Sequence, residues 1–208
     1  MEPSADGSVT DVTGIEVGCW SDHERATGCT VVLCRDGAVA AVDIRGGAPG
    51  TRETGLLAPG MLVERVHAIV LAGGSAFGLA AAHGAMRWLA TRGHGFPAGP
   101  GDRVVPIVPA AVIFDRAVGD PDAFPGEPEG MAACDSRSLD VPEGRHGAGT
   151  GCTIAKLGVV GPPIPGGQGT ASTTLHASLG GHRVGALMVV NAAGSLRVPD
   201  ATERRDSW

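Results

Sequence analysis

The sequence predicts an α+β fold, and three observations carry that reading. Short β-rich runs recur at residues 29–34 (CTVVLC), 67–71 (HAIVL) and 184–190 (VGALMVV), the pattern of buried strands bounded by turn signals. An alanine-rich stretch, residues 76–91 (AFGLAAAHGAMRWLAT), carries Leu79, Met86 and Leu89 at near-helical spacing. The 34 Gly and 15 Pro accompany 43% hydrophobic residues, so the glycines read as tight turns and close backbone approaches around a core. A chain of 208 residues is expected to form one domain, residues 1–208, burying roughly 70% of its unfolded surface.

Taken in order, residues 1–9 are a polar lead-in expected to be flexible, and residues 14–17 a short first strand. Runs 29–34 and 38–44 (AVAAVDI) flank Arg35-Asp36-Gly37, whose Asp-Gly pair predicts a hairpin. Residues 45–54 read as glycine-rich loop and 55–66 as a short helix leading into the strand 67–71. Gly73-Gly74-Ser75 then separates strand from helix. Residues 104–114 (VVPIVPAAVIF) predict one or two strands broken by prolines, which remove ladder donors. Residues 115–146, acidic and rich in Gly and Pro, predict a long surface segment with about one helical turn, of the kind that borders a site. A strand is expected at 150–157, loop at 158–169, and paired strands at 170–175 and 184–190 around Gly180-Gly181. Residues 200–208 are charged, without periodicity, and expected to be flexible.

Composition narrows the function classes. With net charge −6, no basic run and 3% aromatics, the chain can build neither a phosphate-tracking groove nor stacking platforms, so nucleic acid is not an expected partner. Five cysteines, none in a Cys-x-x-Cys pair, argue against disulfides and zinc and for buried thiols in a reducing compartment. The first residues lack a basic start followed by an apolar run, and no stretch has the length to span a bilayer, so a cytoplasmic protein without membrane contact is expected. Seven scattered histidines show no His-x-x-x-His spacing; no metal or cofactor is expected.

Several residues carry two readings each. Asn191 ends an apolar strand ahead of Ala-Ala-Gly, where an amide either caps a turn or aims a hydrogen at developing negative charge. Lys156, the chain's only lysine, lies in the apolar GCTIAKLG; it either snorkels outward or keeps an ammonium near reacting groups. Gly73, Gly74 and Ser75 either leave backbone N–H groups free for an anion at a helix start or let helix and sheet pack closely. They do not spell a dinucleotide fingerprint. Phe77 is either a buried helix-start residue or a pocket wall. Ser75, His146 and Asp115 compose a serine triad on paper, at the level expected by chance. Arg45, Arg52 and Glu53 read as braces of a glycine loop or a subunit contact.

Five segments together narrow the choice: AVDIRGGAPGTRETGLL (41–57), IVLAGGSAFGLAAAHGAMRWL (69–89), VVPIVPAAVIFD (104–115), GAGTGCTIAKLG (147–158) and VGALMVVNAAGSL (184–196). In that order, from about Val12 to Asp200, the chain resembles peptidase family S58, which includes the L-aminopeptidase/D-esterase, β-peptidyl aminopeptidases and the nylon-oligomer hydrolase. The resemblance implies a four-layer αββα sandwich, shared with ornithine acetyltransferase and similar to the N-terminal-nucleophile hydrolases. It implies a precursor that cuts itself into α and β chains, with a Ser or Thr at the new β N-terminus as nucleophile. The chain then reads as most of an α chain, stopping short of the expected junction. Its partners would be that β chain and further αβ units, forming a tetramer. Asn191 matches the family's oxyanion amide, and Lys156 a lysine beside the nucleophile. Phe114 stands where some members carry a tyrosine hydroxyl, reducing the position to an apolar substrate wall.

The expected function is thus the α subunit of an aminopeptidase or amidohydrolase, with Asn191 and Lys156 catalytic and Gly73, Gly74, Ser75 and Phe114 binding substrate. The alternatives are a non-catalytic or nucleotide-binding glycine-rich module, or an acetyltransferase of the ornithine acetyltransferase type.

Overall fold

A computed structural model describes residues 7–156 and 163–194. Its elements run β1 (Glu16–Asp22), β2 (Thr27–Ala38), β3 (Thr51–Arg52), β4 (Val66–Ala72), α1 (Ala81–Ala90), β5 (Phe96–Pro97), β6 (Val104–Val105), β7 (Ala110–Val112), α2 (Glu127–Asp135), β8 (Thr153–Ile154), β9 (Ile164–Pro165), β10 (Gln168–Thr174) and β11 (Arg183–Val189), with short 3-10 segments between some of them.

The main sheet has the order β1-β2-β4-β7-β3, with β4 and β7 parallel and the other pairs antiparallel. Register decides its faces. Cys29, Val31 and Leu33 of β2 lie opposite Ala72, Val70 and Ala68 of β4, and all six are buried with Trp88 and Leu89 of α1 and Ala133 and Cys134 of α2. The two helices cross where Gly84 and Gly130 offer no Cβ; one added at Gly84 would meet the Glu127 carbonyl, and one at Gly130 the Ala81 carbonyl. Pro128 and the acidic first turn, Glu127 and Glu129, favour the start of α2.

The other face of the sheet carries Val32 beside Ile69 and Leu71 beside Ala111. It is less covered than the first: Ile69 is 40% exposed, while Val32, Leu71 and Ala111 are partly buried. At one end of this face Thr30 is buried beneath the 3-10 segment Gly147–Gly149, its Oγ1 donating to Gln168 Oε1 at 2.6 Å and accepting the Ala148 N–H at 2.9 Å. β10 and β11 form a separate antiparallel hairpin. One of its faces takes the lead-in, where the Val9 N–H donates to Thr170 Oγ1 at 2.8 Å; the other exposes Val184, Ala186 and Met188, the last 70% exposed.

The structure moves several expected elements. Asp36-Gly37 does not reverse the chain: β2 runs through it, with a register shift between Leu33 and Ala38 and a left-handed Gly37 at φ 83°. The hairpin is instead β1–β2, turned at residues 23–26 with the Arg25 N–H on Asp22 Oδ1 at 2.9 Å. Residues 39–44 form no strand and are mostly exposed. In place of the helix expected at 55–66 stand the 3-10 turn Gly55–Leu57 and, at Val66, the start of β4, and the expected helix at 76–91 divides into the 3-10 segment Ser75–Ala80 and α1. The 115–146 segment is no surface excursion, since it supplies α2 and core residues. The strand at 150–157 shrinks to β8, and position 157 lies outside the described residues. The lead-in is tied down from Ser8 onward; residues 1–6 and 200–208 lie outside the described residues. Among the described residues no helix is long and apolar enough to cross a membrane.

Candidate active site

Asn191 follows β11, and the chain end that presents it is fastened from behind. Cys152 Sγ donates to the Val190 carbonyl at 2.6 Å, and the Val190 N–H reaches the Gly167 carbonyl at 3.4 Å. Asn191 Oδ1 accepts two hydrogen bonds, from the Phe114 N–H at 3.0 Å and from Lys156 Nζ at 3.1 Å. A backbone N–H only donates, so this network assigns the amide's orientation. Among the described residues its Nδ2 hydrogens meet no acceptor. Two donors on one oxygen, one of them an ammonium, polarise the amide and make Nδ2–H a stronger donor.

Lys156 is aimed by its own backbone. Ala155, at φ 57°, is one of few non-glycine residues in the left-handed region, a conformation that costs about 1–2 kcal/mol and turns the chain between β8 and Lys156. Burial lowers the Lys156 pKa below the usual lysine range, against the opposing pull of Cys152 and Asp115. The Cys152 thiol is itself pushed up by burial, so at neutral pH it is a neutral hydrogen-bond donor.

Phe114 contributes its backbone to this cluster. Its ring is 49% exposed, compatible with a wall, but the N–H holding Asn191 is what ties β7 to the site. Gly73, Gly74 and Ser75 adjoin it. Their N–H groups are all engaged, with the Gly28 carbonyl at 2.8 Å, Asp115 Oδ1 at 2.6 Å and the Ile113 carbonyl at 3.1 Å respectively. The turn therefore has no backbone donors left for an anion, and its glycines serve close packing: a Cβ on Gly73 would strike Asp115 Oδ2, and one on Gly74 the Phe124 side chain. Ser75 itself sits at φ 55°. Phe77, expected in a core or a pocket wall, is exposed and stacks on Phe124 at 5.4 Å between centroids, with the Arg116 guanidinium 5.1 Å from its ring.

The paper triad does not assemble. Asp115 bonds Gly74 and Thr27, while His146 packs edge-on against His23 at 5.6 Å. Of the two arginines read as braces, Arg45 pairs with Asp43, two residues before it, at 2.7 Å, and Arg52 Nη2 reaches Met86 Sδ at 2.9 Å. A cavity of about 150 Å³ behind β8, lined among others by Ala117, Val118, Arg145, Cys152 and Pro165, includes none of Asn191, Lys156 and Phe114. Those three meet at an open surface. The sequence reading met Asp115 only in the discounted triad and Cys152 only among the buried thiols; the available signal for Asp115 was a lone acid closing the apolar run VVPIVPAAVIFD.

Residues 7–205 match the profile of peptidase family S58. An uncharacterised aminopeptidase of Mycobacterium tuberculosis is 48% identical over 200 residues, covering 92% of this chain and 55% of that protein. The 6-aminohexanoate-oligomer endohydrolase of Paenarthrobacter ureafaciens is 34% identical over 187 residues, covering 89% of this chain and 48% of that protein. Among solved structures, the L-aminopeptidase D-Ala-esterase/amidase of Ochrobactrum anthropi, described as a variant of the Ntn hydrolase fold, matches with TM-score 0.73 at 24% identity over 92% of this chain and 55% of that one. The α+β fold is thus of the Ntn-hydrolase type that the sequence implied. The chain spans about half the length of the relatives it matches.

Proposed function

Because the chain belongs to peptidase family S58, we propose that it is the transition-state-stabilising part of an aminopeptidase or amidohydrolase cut from a longer precursor, whose nucleophile is a Ser or Thr at the start of a companion β chain. The observation that carries the proposal is Asn191, its Oδ1 held by the Phe114 N–H and Lys156 Nζ and its Nδ2–H left to meet an oxyanion.

The chemistry then runs in two halves. The companion's hydroxyl attacks the amide carbonyl and its proton passes to the adjacent α-amine, whose reference pKa of about 7.7–8.0 suits a base at neutral pH. Negative charge on the carbonyl oxygen is met by Asn191 Nδ2–H. Collapse breaks the C–N bond, the α-ammonium returns the proton to the leaving amine, and water hydrolyses the acyl ester by the same route. Substrates are expected among peptides and small amides with a free amino end.

Packing supports the missing half. Ile69 on the sheet, beside partly buried Val32, Leu71 and Ala111, and Val184, Ala186 and Met188 on the hairpin leave apolar surface exposed among the described residues, room for a second packed layer. Assembly of αβ units into a tetramer belongs to the same proposal.

Intact mass and N-terminal sequencing of the natively purified protein, followed by assays on amino-acid p-nitroanilides, amides and β-peptides, test it. The expected result is a companion polypeptide beginning with Ser or Thr, and amide hydrolysis with a bell-shaped pH profile. The acid limb belongs to the α-amine, which must be neutral. The alkaline limb belongs to Lys156, whose lowered pKa brings loss of its ammonium, and of turnover, to a lower pH than for an ordinary lysine. A lone 208-residue species without amidase activity overturns the reading.

A further inference from the structure

The cavity behind β8 has no part in the reaction proposed above, and its lining is chemically selective. Ala117, Val118, Cys152, Pro163 and Pro165 give it apolar walls. Its volume of about 150 Å³ suits roughly six heavy atoms, since an apolar cavity of that size admits benzene. Two polar side chains interrupt the walls, Arg145 and Thr153.

Arg145 is exposed and stands at the open end. Its Nε donates to the Thr150 carbonyl at 3.1 Å, and Thr150 is fully buried, with its own hydroxyl on the Gly147 carbonyl at 2.7 Å. One edge of the guanidinium is thereby fixed. Among the described residues no carboxylate pairs with the remainder of it. Asp115, on the segment that supplies Ala117 and Val118, gives its oxygens to the Gly74 N–H and the Thr27 hydroxyl, neither of which lines the cavity.

Thr153 is the inner group, only 6% exposed, and its hydroxyl has no hydrogen-bond partner among the described residues. The one buried side-chain atom there that is both sealed from solvent and unpaired is Arg137 Nε. The Thr153 hydroxyl therefore touches open space, and the open space beside it is the cavity.

These groups describe a ligand. Two Nη groups on a plane held by Nε present the fork that a carboxylate accepts, the hydroxyl adds a donor, and the walls suit a short hydrocarbon tail. A phosphate or sulfate would bring in more charged oxygens than one guanidinium and one hydroxyl satisfy. We propose that the cavity binds a short-chain carboxylate, its charge met by the Arg145 Nη groups and the Thr153 hydroxyl. This does not rest on the hydrolase reading.

Sodium butyrate is the probe, titrated into the natively purified protein in an amine buffer of low ionic strength and followed by ligand NMR. Saturable binding in the millimolar range is expected, with the neutral isostere pentan-2-one at least about 10-fold weaker. Arg145→Gln lowers the butyrate affinity about 10- to 100-fold, and Thr153→Val about 3- to 10-fold. Val118→Phe fills the space while keeping Arg145 and abolishes binding; if that variant does not fold, Thr153→Val alone tests the interior. Absence of saturable binding, or equal binding of the ketone, overturns the inference. So does a butyrate affinity unchanged in the Arg145 or the Thr153 variant, which would place the carboxylate on another surface. An active amidase that ignores butyrate removes this inference and leaves the proposed function standing. Butyrate held through Arg145 by a protein without amidase activity does the reverse.

Discussion

The two faces of the main sheet differ in what the chain itself supplies. On one, Val31, Leu33, Ala68 and Val70 are fully buried beneath Trp88, Leu89 and α2. On the other, Val32, Ile69, Leu71 and Ala111 are as apolar but only partly buried, Ile69 being exposed, and the hairpin that leads to Asn191 exposes a similar stripe. The first face is a finished core. The second is only partly covered by the described residues, and the candidate catalytic groups follow the exposed hairpin to an open surface away from the cavity.

Damage to the finished face should be felt as stability. Trp88 is fully buried, its Nε1 donates to Asp135 Oδ1 at 2.6 Å, and Arg92 lies 3.9 Å over its ring. Trp88→Ala is expected to cost about 3–5 kcal/mol, read by denaturant unfolding; a loss under about 1 kcal/mol would mean that the α1–α2 layer is not the anchor described here. Damage to the site should be felt as rate. Asn191→Ala removes the polarised donor and is expected to lower kcat about 10²–10³-fold in the assembled enzyme, with the melting temperature within a degree or two. Equal turnover would remove Asn191 from the chemistry; a collapsed melting temperature would make it a structural cap.

The same division governs what the amino-acid order made legible. Elements of the finished face announce themselves: HAIVL and the alanine-rich run become β4 and α1 because their burial is local and periodic. The Asp-Gly pair misled because a left-handed glycine serves a strand irregularity as well as a turn, and β2 had two partners, β1 and β4, pulling it straight. α2 was hidden because its Gly, Pro and acids are those of a loop, whereas Gly130 is there to let α1 approach. At the site, Asn191, Lys156 and Phe114 were marked by resemblance and do converge. That the Phe114 backbone, and not its ring, would hold Asn191 was beyond any one-dimensional reading, as were the partners Asp115 takes, a glycine N–H and a threonine distant in sequence.

The uncovered face can be probed without touching the chemistry. Ile69→Glu places a charge at its centre and is expected to change the folding stability of this chain by about 0.5 kcal/mol or less, since the side chain is already partly in water. Co-purification of the companion chain should fall several-fold if that face is the layer contact, because the new carboxylate would have to be buried unpaired. Unchanged assembly would show that the companion packs only on the hairpin side.

The smallest effect expected is the most diagnostic of how stability and function are divided. Ala155, at φ 57°, holds a conformation that glycine adopts without penalty. Ala155→Gly relieves that strain at the cost of a floppier unfolded chain, so the net gain in stability is about 1 kcal/mol or less. Had the position been only a turn, nothing else would change. Because it aims Lys156 at Asn191 Oδ1, a freer backbone lets the ammonium wander, and turnover should fall a few-fold while the protein becomes no less stable. Higher stability with unchanged kcat would assign the strain at Ala155 to chain path alone; a simultaneous loss of both would place Ala155 in the packed region after all.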